Sequence, residues 1–117
     1  MKTDLSYLQE MSGGNRELVI EMINIFKSQV VEFASDMEEH LKRNEFELLG
    51  KLAHKAKSSV SIMGLNDLAK DLKTLENLAK EGKDPELYPG LVHNFKHTTS
   101  EAIEELNVIQ KNIQHYF

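Results

Sequence analysis

One histidine in this sequence stands where its neighbours could support nucleophilic chemistry. His54 lies in the stretch LLGKLAHKAKSSVSIMGLN, residues 48–66, which holds three lysines and no acidic residue in a chain of formal net charge −5. At the helical repeat, Leu49, Leu52, Ala53, Ala56, Val60 and Met63 form one apolar stripe, and His54 points away from it. The same outward face carries Glu47, Gly50, Lys51, Lys57, Ser58 and Ser61, with Lys55 beside the histidine. Imidazole has a reference pKa of about 6.5, so near neutral pH it is largely a free base able to attack an electrophile. Lys51 and Lys57 would interact favourably with a dianionic group placed on that ring. Gly50 and Ser58, one turn to either side, would leave room for a large partner to approach. On this reading His54 is the nucleophile, Lys51 and Lys57 the cations nearest to whatever group it would carry, and Gly50, Lys51, Lys55, Ser58 and Ser61 the partner-binding surface.

Such a surface needs a rigid helix and a core behind it. The chain has 117 residues, 40% hydrophobic and 28% charged, a size and composition that suit one globular domain over 1–117. It has no cysteine, which excludes a disulfide framework and thiolate metal sites. The acidic balance argues against nucleic acid as a partner. No run reaches the ~18 apolar residues of a membrane span, and the opening MKTDLSYLQEM lacks the apolar core of a signal peptide. A cytoplasmic location is the expectation.

In chain order, Thr3 is expected to cap a short helix over about Asp4 to Met11, ended by Gly13-Gly14. Asn15 opens a long helix whose stripe is Val19, Met22, Ile23, Phe26, Val30, Phe33, Met37 and Leu41. Asn44 with Glu47 has the form of a capping box, placing a helix end near Arg43 and a new start near Glu45. Gly64 is expected to end that third helix in the left-handed conformation. Asn66 is expected to cap a fourth, with Leu68, Leu72, Leu75, Leu78 and Ala79 inward and Gly82 at its end. Pro85 and Pro89 set the start of the last helix between Glu86 and Leu91. From there Val92, Phe95, Thr99, Ala102, Leu106, Ile109, Ile113 and Tyr116 form one seam. Short connections and the lack of strand patterns give an all-α fold: an antiparallel four-helix bundle with a short N-terminal helix across one end.

The remaining histidines offer weaker chemistry. His93 and His97 are spaced i, i+4, with Glu101 a turn further on, a spacing that could hold a metal. Neither the metalloprotease nor the di-iron pattern accompanies them, and solvated helix surface is the better reading. His40 and His115 read as surface.

His54-Lys55-Ala56-Lys57-Ser58-Ser59, then Gly64 and Leu75-Glu76, resembles the signature of histidine-containing phosphotransfer (HPt) domains. Leu8, Gly13-Gly14 and the run to Phe26 are similar to the family's lead-in. Ala56 stands where leucine is common and Ser58 where glycine is common, both compatible with the helix. The resemblance implies that His54 is phosphorylated and Lys57 supports the phosphate. It implies as partners the receiver domain of a hybrid sensor histidine kinase, a response regulator, or both. Phosphoryl groups would pass between receiver aspartates, with Mg²⁺ on the receiver and no cofactor on this chain. No phosphate-binding loop is present, so no autonomous kinase activity is expected. A monomer is expected. A second class stays open, a non-catalytic helical adaptor that docks a partner on the His54 face.

Overall fold

The computed structural model describes residues 2–117. Its long helix, α2, runs from Arg16 to Lys42, and 27 residues at 1.5 Å each give about 40 Å of rod. That length accounts for most of the 46 Å long axis of a body 20 Å across in the other two directions. Asn15 starts α2 as its spacing predicts: its side-chain oxygen accepts from the Leu18 N–H at 3.1 Å. Helix α3 (Phe46–Ile62), α4 (Asn66–Glu81) and α5 (Tyr88–Lys111) follow, each joined to its predecessor by a short turn. Such short connections force each helix back along the one before. α2 packs on α3 and α5, and α4 packs on α3 and α5, which closes the four into a bundle.

The core follows the predicted stripes. Val19, Ile23, Phe26, Val30 and Met37 of α2 meet Leu49, Ala53, Ala56 and Val60 of α3, and all are buried. Leu68, Leu72, Leu75 and Ala79 of α4 and Val92, Phe95, Ala102, Leu106 and Ile109 of α5 complete it. Met22, Phe33, Leu41, Leu52 and Leu78 are half-buried on its flanks. The last helix starts at Tyr88, inside the predicted window, after a 3₁₀ turn over Pro85–Leu87. It does not run unbroken: it breaks at Asn112, and α6 (Ile113–Tyr116) leaves Ile113 and Tyr116 only half-buried. Tyr88 fixes the corner between α4 and α5. Its hydroxyl reaches the carbonyl oxygens of Leu78 and Lys83 at 2.8 and 2.6 Å, and Phe46 meets its ring edge-on at 5.0 Å.

Three capping expectations are corrected. Asn44 does not cap α3; it adopts φ 56 and ends α2. Its N–H donates to the Leu41 carbonyl and the Glu45 N–H to the His40 carbonyl, the paired bonds of a Schellman turn. Asn66 is the first residue inside α4 rather than its cap. Thr3 is not a cap either, because the first helix, α1 (Ser6–Ser12), begins at Ser6 and Thr3 is buried with its hydroxyl on Glu105 Oε1 at 3.0 Å. Gly64 behaves as expected, at φ 75, with the Leu65 N–H returning to the Val60 carbonyl. The segment before α1 (Ser6–Ser12) crosses that turn, where the Asp4 N–H donates to the Met63 carbonyl at 3.1 Å. Leu8 of α1 is fully buried, so this end of the bundle is closed by its N-terminal segment.

Candidate functional site

His54 sits at the middle of α3 with its core-facing neighbours Ala53 and Ala56 at zero exposure. Its own side chain is 61% exposed, so the outward rotation read from the stripe is correct. The ring is not, however, surrounded by cations alone. Its Nδ1 lies 2.9 Å from Oε2 of Glu76, a residue of α4 whose side chain is only 5% exposed. Lys57 Nζ donates to Oε1 of the same carboxylate at 3.3 Å, and Lys80 Nζ to Oε2 at 2.9 Å. One buried carboxylate therefore gathers an imidazole and two ammonium groups.

The electrostatics of Glu76 follow from that arrangement. Its pKa is lowered from 4.5 to about 2: the hydrogen bond from Lys80 is the largest cause, burial opposes it, and Lys57 and His54 add to the lowering. At neutral pH Glu76 is thus an acceptor only, so the shared proton must sit on Nδ1 of His54. In the neutral ring this leaves the lone pair on Nε2. A fixed tautomer of this kind is what aims an imidazole nucleophile.

The other predicted residues divide. Lys51, Lys55, Ser58 and Ser61 are exposed, and the Ser61 hydroxyl donates back to the Lys57 carbonyl at 2.8 Å. Lys51 leans towards Glu47, 4.0 Å away. Gly50 is the exception and a correction. It is buried, not open to a partner: a Cβ there would lie 3.2 Å from the Lys80 Cγ, 3.3 Å from the Glu76 carbonyl oxygen and 3.4 Å from the Ala79 Cβ. Gly50 lets α4 seat against α3 rather than leaving a gap in the surface.

Beside the histidine, α3 and α4 enclose an open groove of about 670 Å³. Ile62 and Ala69 contribute apolar surface, Lys57, Lys70 and Lys73 line it with positive charge, and Ser58 and Ser61 are small. Tyr7 of α1 borders the groove. Spacing alone does not single out Glu76, Lys80, Tyr7, Lys70 and Lys73. For Glu76 a signal existed in the Leu75-Glu76 pair and in an acidic residue standing next to the apolar stripe of α4. Elsewhere, His93 and His97 stack at 6.4 Å and His97 Nε2 pairs with Glu101 at 2.8 Å. No group of three metal-binding side chains occurs among the described residues. His40 is half-buried against Glu45 at 3.2 Å, not free surface as its sequence neighbours suggest. No described helix is long and apolar enough to cross a membrane.

Comparison with known proteins adds one finding. A family model described as the Hpt domain matches residues 21–112 of the 117. No curated protein and no solved structure matches the chain.

Proposed function

The chain belongs to the Hpt domain family, in which histidine phosphotransfer serves two-component phosphorelays through contacts with receiver domains, and on that premise we propose that His54 takes up and returns a phosphoryl group at Nε2. What carries the assignment is the 2.9 Å contact between His54 Nδ1 and the buried Glu76 carboxylate on an otherwise exposed ring. The Nε2 lone pair attacks the phosphorus of a receiver's aspartyl phosphate. The bond from phosphorus to the acyl oxygen breaks, and its electron pair stays on the receiver's aspartate. The proton on Nδ1 does not move. The ring becomes a phosphoimidazolium, and the Glu76 carboxylate faces the positive charge that develops on it. Lys57, within one turn, is the cation available to the phosphoryl oxygens. Passing the group to a second receiver is the same step reversed.

The groove beside His54 supports docking of an acidic receiver surface over α3 and α4. Three lysines line it, and Ser58 is small enough for close approach. Lys51, Lys55 and Ser61 border this docking face as exposed residues. The receiver contributes the aspartate and its Mg²⁺, and this chain the positioned nucleophile. The chain is proposed to act as a cytoplasmic monomer.

The test is label transfer from a ³²P-phosphorylated receiver. The wild-type chain is expected to acquire an acid-labile, base-stable label. His54→Gln is expected to acquire none while keeping the helical fold, checked by circular dichroism, since two lysines still pair the Glu76 carboxylate. Labelling of the His54→Gln chain assigns the chemistry to another residue. Receiver binding with no transfer by the wild-type chain leaves the adaptor reading instead.

A further inference from the structure

Lys80 has no part in holding the phosphoryl group, yet it is bonded to the same oxygen of Glu76 that orients His54. Both Nδ1 of His54 and Nζ of Lys80 stand 2.9 Å from Oε2, whereas Lys57 reaches Oε1 at 3.3 Å. Resting on the phosphotransfer reading above, we propose that Lys80 is a positioning residue. It keeps the buried Glu76 carboxylate paired when Lys57 turns to the phosphoryl group, and the bare backbone of Gly50 is what lets it reach there.

Exposed i, i+4 ion pairs contribute little, and Lys80 with Glu76 would be such a pair if both were in water. Glu76 is not: its side chain is 5% exposed, and a buried carboxylate deprived of its cation is costly. A phosphoryl group on Nε2 of His54 brings about two negative charges into reach of Lys57. Lys57 makes the longest of the three contacts to Glu76, and it is the lysine on the histidine's own helix. If Lys57 were the carboxylate's only lysine, its move would leave the buried Glu76 close to a dianion with the His54 ring alone to offset its charge. With Lys80 held on Oε2, the carboxylate stays neutralised and His54 keeps its partner.

Geometry ties this to Gly50. The Lys80 stem lies over the glycine: an added Cβ would meet Lys80 Cγ at 3.2 Å, tighter than ordinary contact, and the Glu76 carbonyl oxygen at 3.3 Å. Any side chain at position 50 must push the stem or the helix aside. The depressed pKa of Glu76, for which Lys80 is the leading cause, agrees with this placement.

The decisive comparison uses Lys80→Met, which keeps the stem and loses the charge, beside Lys80→Arg. Three quantities are read: the titration of the Glu76 carboxyl by ¹³C NMR, the tautomer of His54 by its ring ¹⁵N shifts, and label transfer with phosphohistidine lifetime. Lys80 is half-exposed, so both variants are expected to fold. In Lys80→Met, Glu76 should titrate at higher pH, the Nδ1–H tautomer should lose population, and transfer and lifetime should fall several-fold. Lys80→Arg should restore all three. Gly50→Ala should move the Glu76 titration in the same direction as Lys80→Met. Wild-type values of all three quantities in Lys80→Met overturn the proposal, and an unmoved Glu76 titration in Gly50→Ala overturns the part assigned to the glycine. If the wild-type chain takes no label at all, the phosphotransfer reading fails and the handover by Lys57 fails with it. The two NMR readouts, which need no receiver, separate that case from failure of Lys80 alone.

Discussion

At the scale of single residues, Glu76 decides how the site behaves with pH. Its carboxyl titrates near 2 in the fold against 4.5 for the free side chain. The stabilisation this represents is fully present above about pH 4.5 and is lost as pH falls through the folded value near 2. Glu76→Gln should therefore flatten the loss of stability with acid in that window, measured by urea denaturation at a series of pH values. At neutral pH it should cost about 1–3 kcal/mol, because two lysines lose their acceptor charge. Transfer should also fall, since an amide can present either an oxygen or an N–H₂ to Nδ1 and no longer dictates the tautomer. His54 itself was legible in the sequence, because its face is fixed by the stripe of its own helix. Periodicity does not bring Glu76 to the site, because 22 residues separate it from His54 and helical periodicity reaches only neighbours on one helix. The burial of Gly50 is hidden for the same reason. Its emptiness is visible in the sequence, but the helix that fills the space is not.

At the scale of the elements, helix existence was legible and helix ends less so. Asn, Ser and Thr serve both as N-caps and in other turn roles, so residue type alone did not separate them. Asn15 caps its helix, whereas Asn44 takes a left-handed turn and Thr3 leaves its helix to bond Glu105. Asn44→Gly should be neutral or slightly stabilising, and Asn44→Ala should lose about 1 kcal/mol, measured by chemical denaturation. Gly64 is more demanding. At φ 75, an added Cβ would stand 2.4 Å from Asp4 Cβ and 2.5 Å from its carbonyl oxygen. Gly64→Ala should lose about 1–3 kcal/mol and release the N-terminal segment from the α3–α4 turn. Faster amide exchange at the Asp4 N–H, which bonds the Met63 carbonyl, would show that release directly. Unchanged exchange there would mean the turn and the segment are not coupled.

At the scale of the whole molecule, four amphipathic helices joined by short turns gave the bundle from sequence alone, because each stripe had to find the others. How the N-terminal segment closes one end was less legible: its contacts, Thr3 to Glu105 and Asp4 to Met63, join distant parts of the chain. The finished rod, 46 Å by 20 Å by 20 Å, displays His54 on its flank, with the groove beside it on the same two helices. One ring on one flank means one berth. On the proposed role of His54, a receiver delivering a phosphoryl group and a receiver waiting for it cannot be moored together, so delivery and collection would alternate, in the kinetic pattern called ping-pong. Throughput is then governed by how soon each visitor leaves, and a tighter grip slows the traffic. Unphosphorylated donor receiver, added in excess, should act as a competitive inhibitor of collection by the second receiver, and raising the salt concentration should relieve it by weakening attraction to Lys57, Lys70 and Lys73. Collection that proceeds undiminished under saturating donor would mean that a second berth exists.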